Sequence, residues 1–195
     1  GRTLAVKLEA YGFRQVRDIT AYRAEEAFKP GAISEEVVDF IAHISMDYGG
    51  VRYALELLLG AGVIAERQGF NHVRAGEVRM ANAAIPKGSN GAFYPEELSL
   101  HKQLLLKSIM ETLDATGEPY ITFQDAYTNY AETCQRYSVE PEDENTIMEY
   151  VEDLKIEGYI LRRGKGEKMR IAMEYPFHRL EEAINASLKE ALRLL

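Results

Sequence analysis

Arg52 stands behind two consecutive glycines, Gly49 and Gly50, and opens an apolar run that begins Val51-Arg52-Tyr53-Ala54-Leu55. The first N–H groups of a helix have no partner inside it, and the aligned peptide dipoles make that end positive. A helix start therefore suits an anion such as phosphate. An arginine just inside it adds a planar fork of donors matched to phosphate oxygens. On spacing alone, the commoner fate of such an arginine is a solvated place on the surface. A second concentration of chemistry lies downstream. Between Gly158 and Arg170 stand five basic residues, Arg162, Arg163, Lys165, Lys168 and Arg170, against one acid, Glu167. On a hairpin tipped by Gly164-Lys165-Gly166 they suit contact with nucleic-acid phosphates or entry into a minor groove. The competing reading is a charged edge hairpin that stays in solvent and resists aggregation.

The stretch just before that hairpin argues the other way. From Glu140 to Glu157 it holds eight acidic residues and one lysine, and it starts Glu142-Asp143-Glu144-Asn145. Such a start favours a helix through its dipole but faces a phosphate backbone with like charge. Asn145 and Thr146 are left as the side chains that could touch bases. The other reactive residues read as structural. His43, His72, His101 and His178 have no metal-ligand spacing. The pairs Glu25-Glu26 and Glu152-Asp153 fall on exposed helical faces, where a solvated surface is a better account than acid–base work. Cys134, the single cysteine, falls on an apolar face and reads as packing. No Gly-x-x-x-x-Gly-Lys-Ser/Thr motif occurs, so the chain by itself is not expected to be an ATPase.

The elements that must position these residues are mostly helices. Leu4, Val6 and Leu8 alternate like a short strand, and Val16, Ile19 and Tyr22 share one face of a first helix. Ser34 is a good N-cap for a second, with Glu35 and Glu36 in its first turn and a stripe of Val37, Ile41 and Ile44. The helix from Val51 is apolar almost all round, which predicts a central buried position, and Gly60 and Gly62 permit close approach. A short helix over 76–85 follows. The segment 86–95, with two prolines and two glycines, reads as an interdomain linker. Beyond it the pattern is helix, helix, helix, hairpin, helix. Leu105, Ile109 and Leu113 mark the first. Tyr120-Ile121 is extended, and Thr122 with Asp125 has capping-box spacing. Phe123, Tyr127, Tyr130, Cys134 and Tyr137 run down the next helix. Ile147, Val151 and Leu154 mark the third, which Gly158 stops. Strands over 159–163 and 168–173 then flank the tip, and Leu180, Ile184, Leu188 and Leu192 give a last amphipathic helix. The fold class is mainly α, and the second half is a winged helix: a helix-turn-helix with a β-hairpin wing.

The residue order also resembles a known family. Arg23 to Phe28 (Arg-Ala-Glu-Glu-Ala-Phe), Pro30 to Ile33, Gly49 to Leu55 and Ala61 to Glu66 are similar to the helical lid subdomain of AAA+ ATPases. Within that superfamily they look most like the archaeal replication initiators related to the origin recognition complex and cell-division-control proteins. Gly50 stands where that family usually has aspartate. The resemblance implies a lid over 1–85, with 1–11 a remnant of the ATPase-core edge, and a winged-helix DNA-binding domain over 96–195. It implies that Arg52 is the sensor-2 arginine, which reaches the nucleotide's terminal phosphates. ATP or ADP, with Mg, would belong to the intact protein rather than to this portion alone. Expected partners are duplex origin DNA, gripped by the wing, and a replicative helicase of the minichromosome maintenance type.

Composition fits these expectations. A net charge of −8 over 195 residues is unusual for a nucleic-acid binder, but a local basic patch is enough for phosphate contact. No apolar run approaches the ~20 residues that span a bilayer, and a single cysteine fits a reducing, cytoplasmic interior. The portion is expected to be monomeric. Two other readings stay open: an interaction module whose acidic third helix docks a basic protein, and a winged-helix transcription regulator.

Overall fold

A computed structural model describes residues 9–86 and 94–193. The strand expected at Leu4, Val6 and Leu8 and most of the expected linker fall outside them. Packing gathers the chain into two compact units that meet in sequence between Val73 and Arg74.

Among the described residues, the first unit is three helices: α1 (Phe13–Ala27), α2 (Glu35–Met46) and α3 (Val51–Arg67). The buried stripe of α1 is Val16, Thr20 and Ala24, rotated from the expected one; Tyr22 is exposed. Thr20 can lie inside because its hydroxyl donates to the Val16 carbonyl at 2.7 Å. Ser34 caps α2, its hydroxyl accepting from the Val37 N–H at 3.3 Å. Val37, Ile41 and Ile44 are buried as their spacing predicts. Helix α3 departs from expectation. Leu57 and Leu58 are buried, but Leu59 is 69% exposed, so one apolar face stays open. Gly62 does allow close approach, since a Cβ there would sit 2.8 Å from the Phe28 ring.

The second unit starts with α4 (Ala75–Ala84). Arg79 is buried and donates to the carbonyls of Met173 (2.9 Å) and Glu118 (3.3 Å), with its guanidinium 4.4 Å from the Phe177 ring centre. Burial pushes the Arg79 pKa down to about 10. Asn82 donates to the Glu174 carbonyl at 3.0 Å. The central helix is α5 (Leu100–Thr116), in which Leu104, Leu105, Leu106, Ile109 and Leu113 are all fully buried. It can be apolar on so many sides because α6 (Phe123–Arg136), α7 (Glu144–Ile156), α8 (Phe177–Ala191) and the sheet pack around it. Each such leucine contributes about 1.5–3 kcal/mol by leaving water.

The capping box at α6 is present: the Asp125 N–H donates to the Thr122 hydroxyl and the Thr122 N–H to the Asp125 carboxylate, both at 3.0 Å. The turn into α7 hangs on Tyr130. Its hydroxyl accepts from the Glu142 N–H at 3.1 Å and meets Nδ1 of His101 at 2.7 Å, while His101 Nε2 lies 3.6 Å from the Glu142 carboxylate. Three short strands, β1 (Ile121–Thr122), β2 (Leu161–Arg163) and β3 (Arg170–Ala172), form an antiparallel sheet in the order β1-β3-β2. The architecture is a winged helix, as the sequence predicts.

Candidate nucleic-acid interface

The sheet register sorts the wing's cations by face. Ile121, Ile171 and Arg162 stand in line across the three strands, as do Thr122, Arg170 and Arg163. Residues in line share a face, and neighbours along a strand alternate. Ile171 is fully buried, so Arg162 belongs to the core side and Arg163 and Arg170 to the outer side. The Arg163 guanidinium lies 4.3 Å from the centre of the Tyr120 ring, a distance at which cation and ring attract. Arg170 donates to the Met169 carbonyl at 3.1 Å and stays half-buried.

Arg162 is held differently. Its side chain is only 13% exposed, and Nη2 pairs with the Glu152 carboxylate on α7. Nη1 donates to the Gly164 carbonyl at 2.7 Å, and Nε is buried without a hydrogen-bond partner. Lys165 and Lys168 are exposed at the tip, where a 3-10 turn over Gly166–Lys168 interrupts the longer strand expected there. Gly164 makes that tip possible. Its φ is +74°, and a Cβ would fall 2.3 Å from the Lys168 carbonyl oxygen.

Much of the acidity of α7 is committed within the unit. Besides Glu152, both Asp153 (2.9 Å) and Glu157 (3.0 Å) pair with Lys102 on α5. Burial works to lower the Lys102 pKa, but these two hydrogen-bonded carboxylates outweigh it and the net shift is upward. Asp143 caps the helix by accepting from the N–H groups of Asn145 (2.9 Å) and Thr146 (3.1 Å). The Thr146 hydroxyl also turns back to Asp143, at 3.3 Å. Of the two residues considered for base contact, Asn145 is exposed and Thr146 half-buried. The exposed residues of α7 are Glu144, Asn145, Glu149, Lys155 and Ile156, with Lys155 as the one cation among them; Ile156 is 81% exposed. Burial pushes the Cys134 thiol up, which suits its packing role.

In the first unit, Gly50 is the N-cap of α3 with φ +63° and ψ −130°, a conformation open in practice to glycine alone. Arg52 sits in the first turn with its side chain 90% exposed, and its Nε meets the Glu56 carboxylate at 3.1 Å. An exposed pair at this spacing contributes about 0.3–0.5 kcal/mol, so a phosphate could displace it.

The site residues thus form two sets, one in each unit. Sequence reasoning missed Tyr120, the ring under Arg163, and Glu152, the partner of Arg162. One signal for Arg162 was present: it shares parity with Ile160, an apolar residue that is buried.

Comparison with known proteins adds the family context. Residues 17–83 match a family described as the Cdc6 AAA+ ATPase-type lid domain, and residues 96–183 match the CDC6 C-terminal winged helix domain. The ORC1-type DNA replication protein 2 of Saccharolobus solfataricus is 32% identical over 170 residues, covering 85% of this chain and 41% of the relative. The ORC1-type DNA replication protein of Pyrococcus furiosus is 34% identical over 151 residues, 77% of this chain and 36% of the relative. Among solved structures, Cdc6p from Pyrobaculum aerophilum superposes with a TM-score of 0.84 at 28% identity, over 93% of this chain and 49% of that one. The chain spans half or less of the length of each of these proteins.

Proposed function

Since the chain belongs to the Cdc6 family of ORC1-type DNA replication proteins and carries its lid and winged-helix domains, we propose that it serves DNA replication initiation as the lid and DNA-gripping portion of an ATP-dependent initiator. The observation that carries this reading is the outer face and tip of the wing. Arg163 and Arg170 stand in register there, and Lys165 and Lys168 are exposed beside them. Phosphate contacts of this kind position a protein on duplex DNA and do not read its sequence. In the intact protein, ATP or ADP with Mg would lie between an ATPase core and the lid, and the exposed fork of Arg52 would meet its terminal phosphates. A nucleotide there would supply a switch, because its γ-phosphate gives that arginine an anion to gain or lose. The protein would act in the cytoplasm on origin DNA and help load a replicative helicase, and this portion alone would be a monomer.

Anisotropy of a short labelled duplex across a salt series tests the DNA part. Three or four phosphate contacts give a log–log slope of roughly −3 to −4. Binding without salt dependence would remove the wing from the mechanism. For the nucleotide part, Arg52→Ala in the intact initiator should impair hydrolysis or nucleotide-dependent switching and leave the fold intact. Unchanged turnover and nucleotide affinity would reduce Arg52 to a surface residue.

One observation favours a second reading for α7 alone. Its exposed side carries Glu144, Glu149 and the apolar Ile156 against one cation, Lys155, which suits a basic protein surface better than a DNA groove. Glu149→Lys should then weaken helicase binding; if it strengthens DNA binding and leaves the helicase unaffected, α7 faces DNA.

A further inference from the structure

We propose that Arg162 is a positioning residue, which fastens the wing to α7 through Glu152 and leaves the phosphate contacts to the outer face and the tip. The inference rests on the DNA-binding reading above and refines it. Among the described residues, β2 is an edge strand, joined to the sheet by β3 alone. A hairpin of two three-residue strands is marginal by itself, so its aim depends on whatever else ties it down. The Arg162–Glu152 pair does this by joining the free edge of the sheet to the helix that a winged helix presents to its target. Parity puts Arg162 on the core side, burial leaves 13% of its side chain in contact with solvent, and two of its three nitrogens are engaged. Moving the guanidinium out to a phosphate would break both interactions and strand the half-buried Glu152 carboxylate. Arg163, one residue on, projects from the opposite face, against the Tyr120 ring.

The two roles for Arg162 predict opposite signs for one substitution. If Arg162 held a phosphate, Glu152→Gln would release it and remove a repelling charge, and DNA would bind more tightly. If Arg162 fastens the wing, Glu152→Gln loosens the hairpin, and binding weakens about threefold to tenfold despite the lost negative charge. Salt dependence separates the arginines further. Arg163→Ala should reduce the magnitude of the log–log slope by about 0.9, whereas Arg162→Met should weaken binding and leave the slope unchanged.

The whole chain is titrated against a short labelled duplex across a salt series. Backbone amide exchange in β2 and β3 is measured in parallel without DNA. Faster exchange in both Glu152→Gln and Arg162→Met is expected. Tighter binding by Glu152→Gln, a slope loss of about 0.9 in Arg162→Met, or unchanged exchange would each overturn the proposal. A wild-type chain that does not bind DNA would defeat the DNA reading, while the exchange measurements would still decide what Arg162 does.

Discussion

Arg163 stands directly opposite Arg170 in the β2–β3 ladder, so two guanidinium groups leave the same face of a hairpin only three residues long on each strand. Like charges in register cost a few tenths of a kcal/mol to about 1 kcal/mol. The Tyr120 ring beneath Arg163 offsets part of that cost. The arrangement favours a surface that meets polyanions over one tuned for stability.

Replacing Arg170 by threonine should therefore separate stability from binding. The thermal midpoint of the free chain should rise by about 1–2 °C. The salt slope for duplex binding should fall in magnitude by about 0.9. Calorimetry and anisotropy on the same preparation check both, and a lower midpoint would show that the opposed arginines support each other through their neighbours.

Gly164 and Gly158 give a paired test of the wing's ends. Both have positive φ, but a Cβ at Gly158 would meet nothing within 4 Å, whereas at Gly164 it would strike the Lys168 carbonyl. Gly158→Ala should cost about 1–2 kcal/mol of backbone strain. Gly164→Ala should cost more and also weaken DNA binding, because the tip must open. Equal effects in denaturant titration would mean that the tip rearranges freely.

Arg79 should be a costly charge to remove from the second unit, because its head is buried. Arg79→Met strands the Met173 and Glu118 carbonyls and should cost about 3 kcal/mol. By the same logic, a fragment of residues 74–195 should be more stable to urea than one of residues 96–195, which lacks α4. A shorter fragment of equal stability would show that α4 contributes nothing to this unit.

Acid should unfold the second unit partly through Glu111, which lies between Lys107 (2.9 Å) and Arg136. Burial works to raise its pKa from the ordinary 4.5, but the hydrogen bonds from Arg136 and Lys107 outweigh it and the net shift is downward. A carboxylate with a depressed folded pKa contributes stability above its unfolded value. That contribution is lost as pH falls through the folded one. The midpoint gap between wild type and Glu111→Gln should be full at pH 7 and close steadily below about pH 4.5. A gap independent of pH would assign the effect to packing.

Helix order, the cap at Ser34, the box at Thr122 and the winged-helix topology were legible in the sequence because local rules decide each of them. Two misreadings share one cause. The run from Val51 reads as central and buried, yet α3 leaves Leu59 to solvent. The stripe of α1 turned toward Thr20 because a hydroxyl can hide by bonding its own helix. Composition shows what could be buried, but not which neighbours arrive to bury it. The wing had the same limit: counting five cations was straightforward, while the parity that Arg162 shares with Ile160 assigns its face only once β3 sets the register.

The ring of contacts around Tyr130 has a mechanical consequence. The Tyr130 hydroxyl accepts from the Glu142 N–H and meets Nδ1 of His101, whose Nε2 faces the Glu142 carboxylate. The loop then closes on itself: Glu142 backbone to tyrosine, tyrosine to histidine, histidine to Glu142 carboxylate. Each link comes from a different part of the chain, on α5, on α6 and in the approach to α7. The turn before α7 is thus pinned to both α5 and α6. Tyr130→Phe removes the pin and keeps the packing, so it should leave two helices of unchanged length joined by a slack coupling.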